Sequence, residues 1–598
     1  MPTNSSQFIA TSLDAKFDLN KKKFYAGNWC FSSREEEKKI LDNKDIYTAP
    51  NPWADIDLLE KDYIYMQNLL DTYTLKLSNF LNKYHKTNYS ERYWNILIGT
   101  WLIYYIPSQL YRWRVVSTAI DLNKSLDFCL LDKEDDSSPS YTIDYLKLTR
   151  DSNIFNYLAF KKILNFFKKN GNNINFYTRS IKKAEKKNIS FSFFKKLKFL
   201  MYIFLDNINL NLSKKNLIFI EDKIFTKKNF YKINFKLDQF PQHFRALFNY
   251  HFENYNFKSI KYNLKSREVV RLEKKENYSE LNTFSNFLDS IIKFDIPKCY
   301  LEGYGRIKES ADNIKIKPKI IVSSYNHYHN EKFKHWVASN VEENNTKFYV
   351  AHHGGANHQK FSPCLQYENK FVDKKLTWTQ PRNLNDTQLP ASKFINYNFC
   401  RKNPIFLSYV EEANHLFPHK AGTGVNFSSS NNIKNISIFK SILKKNIFQK
   451  LKYLPTRESL TYEKKELIKK IKDNYVNESP ALYKYISKSK LIVCSYPQTA
   501  FLEGILTGPT ILINDPKINP FIDETEKAKQ IQIQLYKNKI CFKNAKEAAE
   551  HINNIWSDPL SWWNSTDVVN TVNELKINFC KTSTNGIDDW TNFLKKEL

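Results

Sequence analysis

Short apolar runs alternate with helical patterns in the second half of the chain. The run KIIVSS (319–324) predicts a buried strand, EKFKHWVASNVEEN (331–344) predicts a helix, and KFYVAHHGG (347–355) predicts a second strand that ends in a glycine turn. A strand, a helix and a strand at this spacing form a βαβ unit, in which the two strands are parallel. KKLTWTQ (374–380) is interpreted as a further strand.

A second series follows residues 381–404, a polar, proline-bearing stretch that we interpret as a linker. Its predicted elements are a strand at 405–410, a helix near 434–449, a strand at 451–455, a helix near 479–488 and a strand at 491–494. Two series of alternating strands and helices indicate an α/β protein with parallel sheets.

The stretch LIVCSYPQTAFLEGILTGPTILIND (491–515) has the clearest boundaries. Its first four residues are short and apolar, as in a strand covered on both faces. Ser495 and Gln498 form the S-x-x-Q pattern of a capping box, so a helix is predicted to begin there. The helix should end at Gly508, which permits a left-handed φ, and TILI (510–513) predicts the next parallel strand.

An anion site is expected where this strand ends and the helix begins. The carboxyl end of a parallel strand and the amino end of the following helix form a crevice that offers N–H groups and a positive dipole to anions. Ser495, Gln498 and Thr499 would hold a nucleotide phosphate there, and Glu503 would accept hydrogen bonds from ribose hydroxyls. The alternative is that Ser495 and Gln498 only cap the helix and that Glu503 is an ordinary carboxylate.

The first 270 residues differ from the second half of the chain in pattern and composition. Residues 57–85 repeat apolar positions at intervals of three and four, which predicts a helix. The most apolar segment, 93–111, contains asparagine, glycine, threonine and proline, so a buried helix is favoured over a membrane span. Residues 150–270 are rich in Lys, Asn, Phe and Ile and are interpreted as an insertion.

Composition narrows the class of protein. With 598 residues the chain exceeds what one hydrophobic core usually supports, and a hydrophobic content of 42% excludes a largely disordered chain. The net charge of +29 would favour phospholipid headgroups or a phosphorylated donor, although the dispersed lysines are also typical of an AT-rich genome. Nucleic-acid binding is not expected, because no recognisable module accompanies the basic and aromatic residues.

Cysteine usage and the amino terminus indicate the compartment. The eight cysteines include no C-x-x-C pair and no zinc-like spacing, which indicates a reducing environment. The first residues, MPTNSSQFIATSLDAKFDLN, lack the basic start and apolar core of a secretion signal. We therefore expect a cytoplasmic protein, with peripheral contact at the inner, anionic face of the cell membrane.

Paired histidines stand at a predicted strand end in AHHGGANHQ (351–359). His352 and His353 precede Gly354 and Gly355, which would let the backbone approach a ligand closely. A histidine there can donate to a phosphate oxygen or assist a leaving group, since its pKa lies near neutrality. Two alternatives stay open: a metal site built with His358, and a plain turn.

At these motifs the chain resembles the two-domain GT-B glycosyltransferase superfamily. It is most similar to a family of transferases from bacterial surface-polysaccharide loci, and more loosely to capsule Kdo transferases and to the CDP-glycerol glycerophosphotransferases of teichoic acid synthesis. The stretches that carry the resemblance are GNWCF (27–31), WNILIGTWL (94–102), HHGGANHQ (352–359) and SYPQTAFLEGILTGPTIL (495–512), with weaker matches at LPTRE (454–458) and DPLSWW (558–563).

The resemblance implies a fold and a division of the chain. Two Rossmann-like domains would face a cleft, with a helix-rich amino-terminal part. Residues 1–395 would form the acceptor-side domain, including the insertion at 150–270, and 396–598 would form the donor-binding domain with a carboxyl-terminal helix.

It also implies a reaction: transfer of a sugar or ulosonic acid from a nucleotide-activated donor, a CMP-sugar being favoured, to a glycan or lipid-linked acceptor. His353 would lie near the donor phosphate, Ser495, Gln498 and Thr499 at phosphate, and Glu503 at ribose. Arg457 would neutralise phosphate, and neither a metal nor a cofactor beyond the nucleotide-sugar co-substrate is implied.

Departures from the family pattern leave two assignments open. His352-His353-Gly354 stands where Gln-His-Gly is usual, so either histidine can be the matching one. The acceptor-activating carboxylate has no clear match; Asp55, Asp57 and Glu91 are candidates by type only. Alternative functions are CDP-polyol phosphate transfer and a non-catalytic, basic scaffold at the membrane surface.

Overall fold

The described residues of the chain form three five-stranded parallel sheets surrounded by helices. The computed structural model describes residues 7–11, 22–31, 46–131, 138–179, 193–244, 246–248, 260–268, 283–355, 367–397, 400–411, 417–418, 428–455, 462–476, 482–515 and 525–598. Mixed α/β architecture with parallel strands is confirmed, but the sequence predicts two sheets, whereas these ranges contain three.

Each sheet is formed by five strands that are consecutive along the chain. The first sheet contains β1 (Gln7–Ala10), β2 (Lys23–Tyr25), β3 (Ile46–Thr48), β4 (Leu126–Leu131) and β5 (Ile174–Arg179). The second contains β6 (Ile218–Ile220), β7 (Ile320–Ser323), β8 (Lys347–Ala351), β9 (Lys374–Thr377) and β10 (Asp386–Gln388). The third contains β11 (Phe406–Val410), β12 (Leu451–Leu454), β13 (Ser489–Cys494), β14 (Thr510–Ile513) and β15 (Cys541–Phe542).

Helices account for most of the other residues that the structure describes. Those before β8 are α1 (Ile56–His85), α2 (Glu91–Leu122), α3 (Thr142–Asp151), α4 (Asn153–Lys169), α5 (Phe193–Leu212), α6 (Lys227–Lys236), α7 (Leu264–Glu268), α8 (Phe284–Asp295), α9 (Tyr304–Asp312), α10 (Asn326–His329) and α11 (Glu331–Asn344). Those after β11 are α12 (Ser428–Ile442), α13 (Lys445–Phe448), α14 (Tyr462–Lys470), α15 (Leu482–Ile486), α16 (Thr499–Thr507), α17 (Glu526–Lys537), α18 (Ala545–Ile555), α19 (Pro559–Trp563), α20 (Thr566–Phe579) and α21 (Gly586–Glu597).

Two long helices fill the space beside the first sheet. Asp55 caps α1 by accepting hydrogen bonds from two backbone N–H groups, and Lys86, at a φ of 55°, ends it in the left-handed region. Helix α2 is buried along almost its whole length, as the apolar segment 93–111 predicts. Within the described ranges, no helix combines the length and the apolar character that crossing a bilayer requires.

The second sheet has the simple strand order β10-β9-β8-β7-β6. One of its faces shares a core with the first sheet and α2. The other is covered by α6 and by the last helix, α21, whose Trp590 lies in a core with residues of β6, β7 and β8. The carboxyl-terminal helix therefore returns to the second sheet after the chain has built the third.

The third sheet changes direction at its centre. Its order is β12-β11-β13-β14-β15, so the chain runs from β11 outward to β12 and then returns to β13 on the other side of β11. In open parallel sheets, ligands bind at the carboxyl ends of the two strands flanking such a reversal. Val410 and Cys494 end those strands.

The stretches interpreted as an insertion and as a linker both contain sheet strands. The segment 150–270 supplies β5 and β6, the edge strands of two different sheets, and the stretch 381–404 contains β10. The predicted division at residues 395 and 396 stays a prediction.

Candidate functional site

The paired histidines and the helix after β13 meet in space. Gly355, in the loop that leaves β8, donates its backbone N–H to Thr499 Oγ1 over 2.8 Å. Thr499 is the first residue of α16. The carboxyl end of a central strand in the second sheet therefore contacts the amino end of a helix in the third-sheet unit.

The two glycines of this loop make the contact sterically feasible. A Cβ on Gly355 would lie 2.4 Å from Leu502 Cδ1 and 3.1 Å from the backbone nitrogen of Thr499. A Cβ on Gly354 would lie 2.8 Å from Thr499 Oγ1. The backbone of the two glycines therefore lies close to a helix of the neighbouring unit.

Ser495 ties together the two strands at the reversal of the third sheet. Its N–H and its hydroxyl both donate to the carbonyl oxygen of Val410, over 3.2 and 3.3 Å. The half-buried Ser495 thus lies at the carboxyl ends of β11 and β13, where the sequence predicts an anion site.

The predicted capping box is wrong. Helix α16 begins at Thr499, its N-cap residue is Gln498, and no side chain caps it by a hydrogen bond. The reason is that residues 495–498 form a bend that includes Pro497, and the hydroxyl of Ser495 is directed to Val410 instead of the helix. The predicted helix end is confirmed, since Gly508, with a φ of 144°, follows Thr507.

Glu503 lies one turn into α16 and is 3% exposed. Its Oε2 accepts from Lys393 Nζ at 3.0 Å, and its Oε1 accepts from Tyr397 OH at 2.7 Å. Both partners follow β10, so this carboxylate forms a second link between the two units. A ribose contact at Glu503 stays a prediction, and it would have to share these oxygens.

The structure distinguishes the two histidines. His352 is 6% exposed, and its backbone N–H donates to the carbonyl oxygen of Leu376 on β9 over 3.0 Å. His353 is exposed to a cavity and lies edge-on to the rings of Tyr325 and Tyr328. Only His353 of the pair is accessible to a ligand in that cavity.

The cavity next to His353 has a volume of about 660 Å³. It lies at the carboxyl ends of β6 and β7. Its walls combine aromatic and polar side chains: Tyr202, Phe219, Glu221, Asp222, Lys223, Gln242, His243, Phe244, Phe248, Ser324, Tyr325, Asn326 and His353. Pockets of this size and mixed lining are typical of small-molecule sites.

The carboxylate of Glu221 lies at the amino end of α10. Its carboxylate accepts from Ser323 Oγ at 2.7 Å and from the N–H groups of Ser324 and Tyr325 at 2.9 and 3.0 Å. A carboxylate in this position satisfies the amides that would otherwise attract an anion. The only sequence signal for it was its place directly after the apolar run of β6.

A buried polar chain lies behind His353. Ser323 Oγ and His327 Nδ1 are 3.0 Å apart, and His327 Nε2 is 3.5 Å from a Glu368 carboxylate oxygen. Tyr328 donates its hydroxyl to the same carboxylate. Tyr328 links this chain to His353, since the two rings are in edge-on contact.

The surroundings keep the His353 ring neutral. Although the side chain is open to the cavity, the protein around it desolvates the ring and lowers the pKa of His353, while Glu368 and Glu221 partly oppose this effect. Burial lowers the pKa of the adjacent His329 to about 3. Neutral imidazole accepts a proton at one ring nitrogen and donates one at the other.

A buried ion pair stands at the reversal of the third sheet. Glu411 directly follows β11, and its carboxylate lies 3.1 Å from Lys464 Nζ, with both side chains at most 2% exposed. Sequence reasoning missed this pair, because the two residues lie on separate elements. It places charge next to the strand ends where Ser495 lies.

Several predicted residues are elsewhere or outside the described part. Arg457 and His358 lie outside the described residues. Asp55 caps α1, and Glu91 is an exposed residue in the first turn of α2. Among the residues that the structure describes, no group of three or more His, Cys, Asp or Glu side chains is placed to hold a metal ion.

Comparison with known proteins gives one match. A model of the LIC12162 family of transferases matches residues 6–594, nearly the whole chain. The chain belongs to the LIC12162 family of transferases. No curated protein and no solved structure matches it. In this LIC12162 family transferase, the match includes the histidine loop, the cavity and the helix after β13.

Proposed function

We propose that this transferase moves a sugar or ulosonic acid from a nucleotide-activated donor, with a CMP-sugar favoured, to a surface glycan acceptor, without a metal. The hydrogen bond between Gly355 and Thr499 is the observation that carries the proposal. It brings an accessible histidine from one parallel sheet beside the start of a helix from another. A cleft of the GT-B type between these two units would hold the donor.

The donor phosphate would bind at the carboxyl ends of β11 and β13. Support comes from the strand reversal there and from the amino end of α16, where backbone N–H groups lack helical partners. Ser495, Gln498 and Thr499 would surround the phosphate, and Arg457 would add positive charge. Preorganised dipoles of this kind stabilise a departing phosphate.

A CDP-polyol phosphotransferase would use the same phosphate site. Its transferred group would be a polyol phosphate, and the bond broken would lie within the diphosphate. The experiments below therefore test both reactions, and the polyol phosphotransferase needs no separate binding site.

Nucleotide binding tests the proposal. Thermal unfolding would be followed with CMP, CDP, UDP and the nucleoside cytidine for the wild-type protein, Thr499→Val and the exposed control Thr566→Val. We expect cytidine nucleotides to raise the midpoint in the wild type and the control, and to raise it less in Thr499→Val, which loses its hydrogen bond to Gly355. Cytidine alone should have little effect.

The reaction is then identified by its products. Mass spectrometry after incubation with CMP-sugars or CDP-polyols and a glycan acceptor should find an acceptor heavier by one sugar. A gain of a polyol phosphate would favour the alternative. No nucleotide-dependent shift and no donor turnover would refute both, and would leave the non-catalytic scaffold.

A further inference from the structure

The cavity beside His353 contains buried polar groups that have no partner among the described residues. The side-chain Nε2 and Oε1 of Gln242 and the hydroxyl of Ser324 make no hydrogen bond among the described residues. Both residues are only 1% exposed, and both line the cavity. Buried polar atoms are rarely left unpaired, so a bound molecule is expected to complete these bonds.

Most charged side chains of the cavity have partners within the protein. The carboxylate of Glu221 accepts from four groups of the chain segment 323–326. Asp222 pairs with His243 at 2.7 Å, and Lys223 lies over the Tyr325 ring at 4.6 Å from its centroid. Besides the exposed side chains of Lys223 and His353, the cavity offers a ligand the neutral amide of Gln242 and the neutral hydroxyl of Ser324.

Aromatic rings form another part of the cavity lining. Phe219, Phe244 and Phe248 contact one another, with ring centroids 5.7 to 6.3 Å apart. Apolar rings together with neutral donors and acceptors suit a ring that carries hydroxyl groups on its edge. A sugar has this form, since each hydroxyl both donates and accepts.

We propose that this cavity binds the acceptor sugar of the transferase, with Gln242 and Ser324 hydrogen-bonded to its hydroxyls and one hydroxyl directed at His353. The inference rests on the proposed function and deepens it. It assigns the acceptor-side base to His353 instead of to a carboxylate near the amino terminus. His353 lines the cavity, and Gly355, two residues further on, contacts Thr499 at the predicted phosphate site, so one loop connects the two.

The step balances as a simple displacement. The acceptor oxygen forms a bond to the anomeric carbon of the donor sugar, and the bond between that carbon and the phosphate oxygen breaks. The nucleotide leaves with the electron pair. The proton of the acceptor hydroxyl passes to the unprotonated ring nitrogen of His353 and from there to solvent.

Saturation-transfer NMR tests this assignment. A panel of methyl glycosides of hexoses and N-acetylhexosamines would be measured against the wild-type protein, Gln242→Leu, Ser324→Ala and the exposed control Gln534→Leu. We expect a signal from at least one glycoside in the wild type and the control, and about tenfold weaker binding in each cavity variant, as for one or two lost hydrogen bonds. Unfolding midpoints should be unchanged or higher, because each substitution removes an unpaired buried group.

The outcomes separate this inference from the proposed function. Retention of the CMP-dependent thermal shift in Gln242→Leu, with loss of the glycoside signal, supports an acceptor site apart from the donor site. Loss of the CMP shift with the glycoside signal intact would assign the cavity to the nucleotide and overturn the inference. No glycoside signal in the wild type, or binding by both cavity variants that equals that of the wild type, would also overturn it.

A second, independent observation concerns the surface of α5. This helix exposes a row of large apolar side chains with exposed fractions between 41% and 65%: Leu197, Leu200, Met201, Phe204, Leu205, Ile208 and Leu212. They recur at intervals of three and four and so form one stripe along the helix. Contiguous exposed apolar surface of this extent marks an interaction site.

Charge indicates which partner covers the stripe. Exposed lysines stand at both ends of it, Lys198 near the start and Lys214 and Lys215 just after the helix. The one acidic residue of α5, Asp206, is 3% exposed and accepts from the N–H groups of Ala246 and Leu247. The exposed face is therefore apolar and cationic, a combination typical of helices that lie in the interface of an anionic bilayer.

We infer that α5 docks the protein onto an anionic membrane surface. Tyr202 of the same helix lines the cavity beside His353. Docking through α5 would thus bring the cavity close to the bilayer, where a lipid-linked acceptor is held.

Vesicle flotation tests the docking. The wild-type protein should float with vesicles that contain phosphatidylglycerol, and much less with pure phosphatidylcholine or at high salt. The double variant Leu200→Glu/Phe204→Glu should stay unbound with an unchanged unfolding midpoint. The control Ile533→Glu, at a side chain that is 63% exposed on α17, should float like the wild type.

Two results would overturn the docking. One is equal flotation of the double variant and the wild type. The other is a concentration-dependent dimer, seen by sedimentation, that the double variant abolishes while no form of the protein binds vesicles; the stripe would then be a contact between two copies of the chain.

Discussion

Gly355 connects the two sheet units through its backbone and leaves no room for a side chain. Its N–H reaches Thr499, and an added Cβ would meet both Leu502 and the backbone of α16. Because the clash involves backbone as well as a side chain, a rotamer change alone cannot relieve it. The glycine is therefore required by the packing of the loop against the helix.

Gly355→Ala is expected to lower the free energy of unfolding by about 1–3 kcal/mol, as overpacking of a close contact does. It should also weaken nucleotide binding, since the loop and α16 are forced apart. Denaturant unfolding and the CMP-dependent thermal shift measure the two effects. The control is Gly305→Ala in α9, where an added Cβ has open space and helix propensity predicts a gain of about 0.5–1 kcal/mol. Equal behaviour of the two variants would contradict the account.

Glu503→Ala should lower the free energy of unfolding by about 1–3 kcal/mol, because Lys393 and Tyr397 lose their acceptor. The sequence instead predicts a role for Glu503 in binding the ribose hydroxyls. Urea denaturation distinguishes the two roles. The control is Glu574→Ala, which removes an exposed ion pair with Lys527 and should change stability by less than about 1 kcal/mol. An unchanged unfolding curve with a lost nucleotide response would assign Glu503 to the ligand alone.

Among the elements, α11 is anchored by a buried cation. Lys334 Nζ lies 2.7 Å from Glu331 on the same helix, and it donates to Leu97 O on α2 at 2.9 Å and to Thr142 Oγ1 on α3 at 3.3 Å. Both charged side chains are at most 1% exposed. This one ammonium group therefore holds the helix of the second sheet against two helices of the first.

Lys334→Met is expected to destabilise the protein by about 3–5 kcal/mol, because it leaves the Glu331 carboxylate buried without its partner. The double variant Lys334→Met/Glu331→Gln should regain part of that loss. Lys529→Met, which removes a partner of the exposed Glu526, is the control and should cost less than about 1 kcal/mol. Chemical denaturation gives all three values, and a small effect of Lys334→Met alone would refute the anchoring role.

Elements with a strong periodic pattern were predicted from the sequence. The helix over 57–85 and the strands at 491–494 and 510–513 appear in the structure within a few residues of their predicted bounds. The first sheet was missed because β1, β2 and β3 contain only three or four residues each and carry no periodic signal. The strand β6 was missed because its surroundings are rich in Lys and Asn.

The site was predicted only as far as local sequence describes it. The histidine loop and the segment after Cys494 were both placed at strand ends, and their direct contact fits that placement. The cap of α16 was wrong, since a tertiary bond from Ser495 to Val410 competes with the local pattern. Gln242 and Ser324 had no signal, because only the fold brings them to His353.

At the level of the whole molecule, several neutral histidines are buried. Burial lowers the pKa of His85 and of His551 to about 4 and that of His329 to about 3, and it also lowers the pKa of His335 and of His352. In the unfolded chain these groups titrate near 6.5. Between these values the unfolded state binds more protons than the folded state.

Stability should therefore fall as the pH is lowered from 7 toward about 4, by about 1.4 kcal/mol per pH unit for each buried histidine. Urea unfolding at pH 7 and pH 5 measures the slope. His335→Phe should reduce it by one histidine's share and raise stability at pH 7, because both ring nitrogens of the buried His335 lack partners among the described residues. A wild-type stability that is equal at the two pH values would contradict this prediction.

The central claim is that a nucleotide phosphate binds where β11 and β13 end and α16 begins, beside the loop of His353. A crystal soaked with CMP tests it most directly. The account predicts phosphate density within about 2.7–3.2 Å of the amides at the start of α16 or of the Ser495 and Thr499 hydroxyls. A vacant position there, or CMP bound instead in the cavity of Gln242 and Ser324, would contradict it.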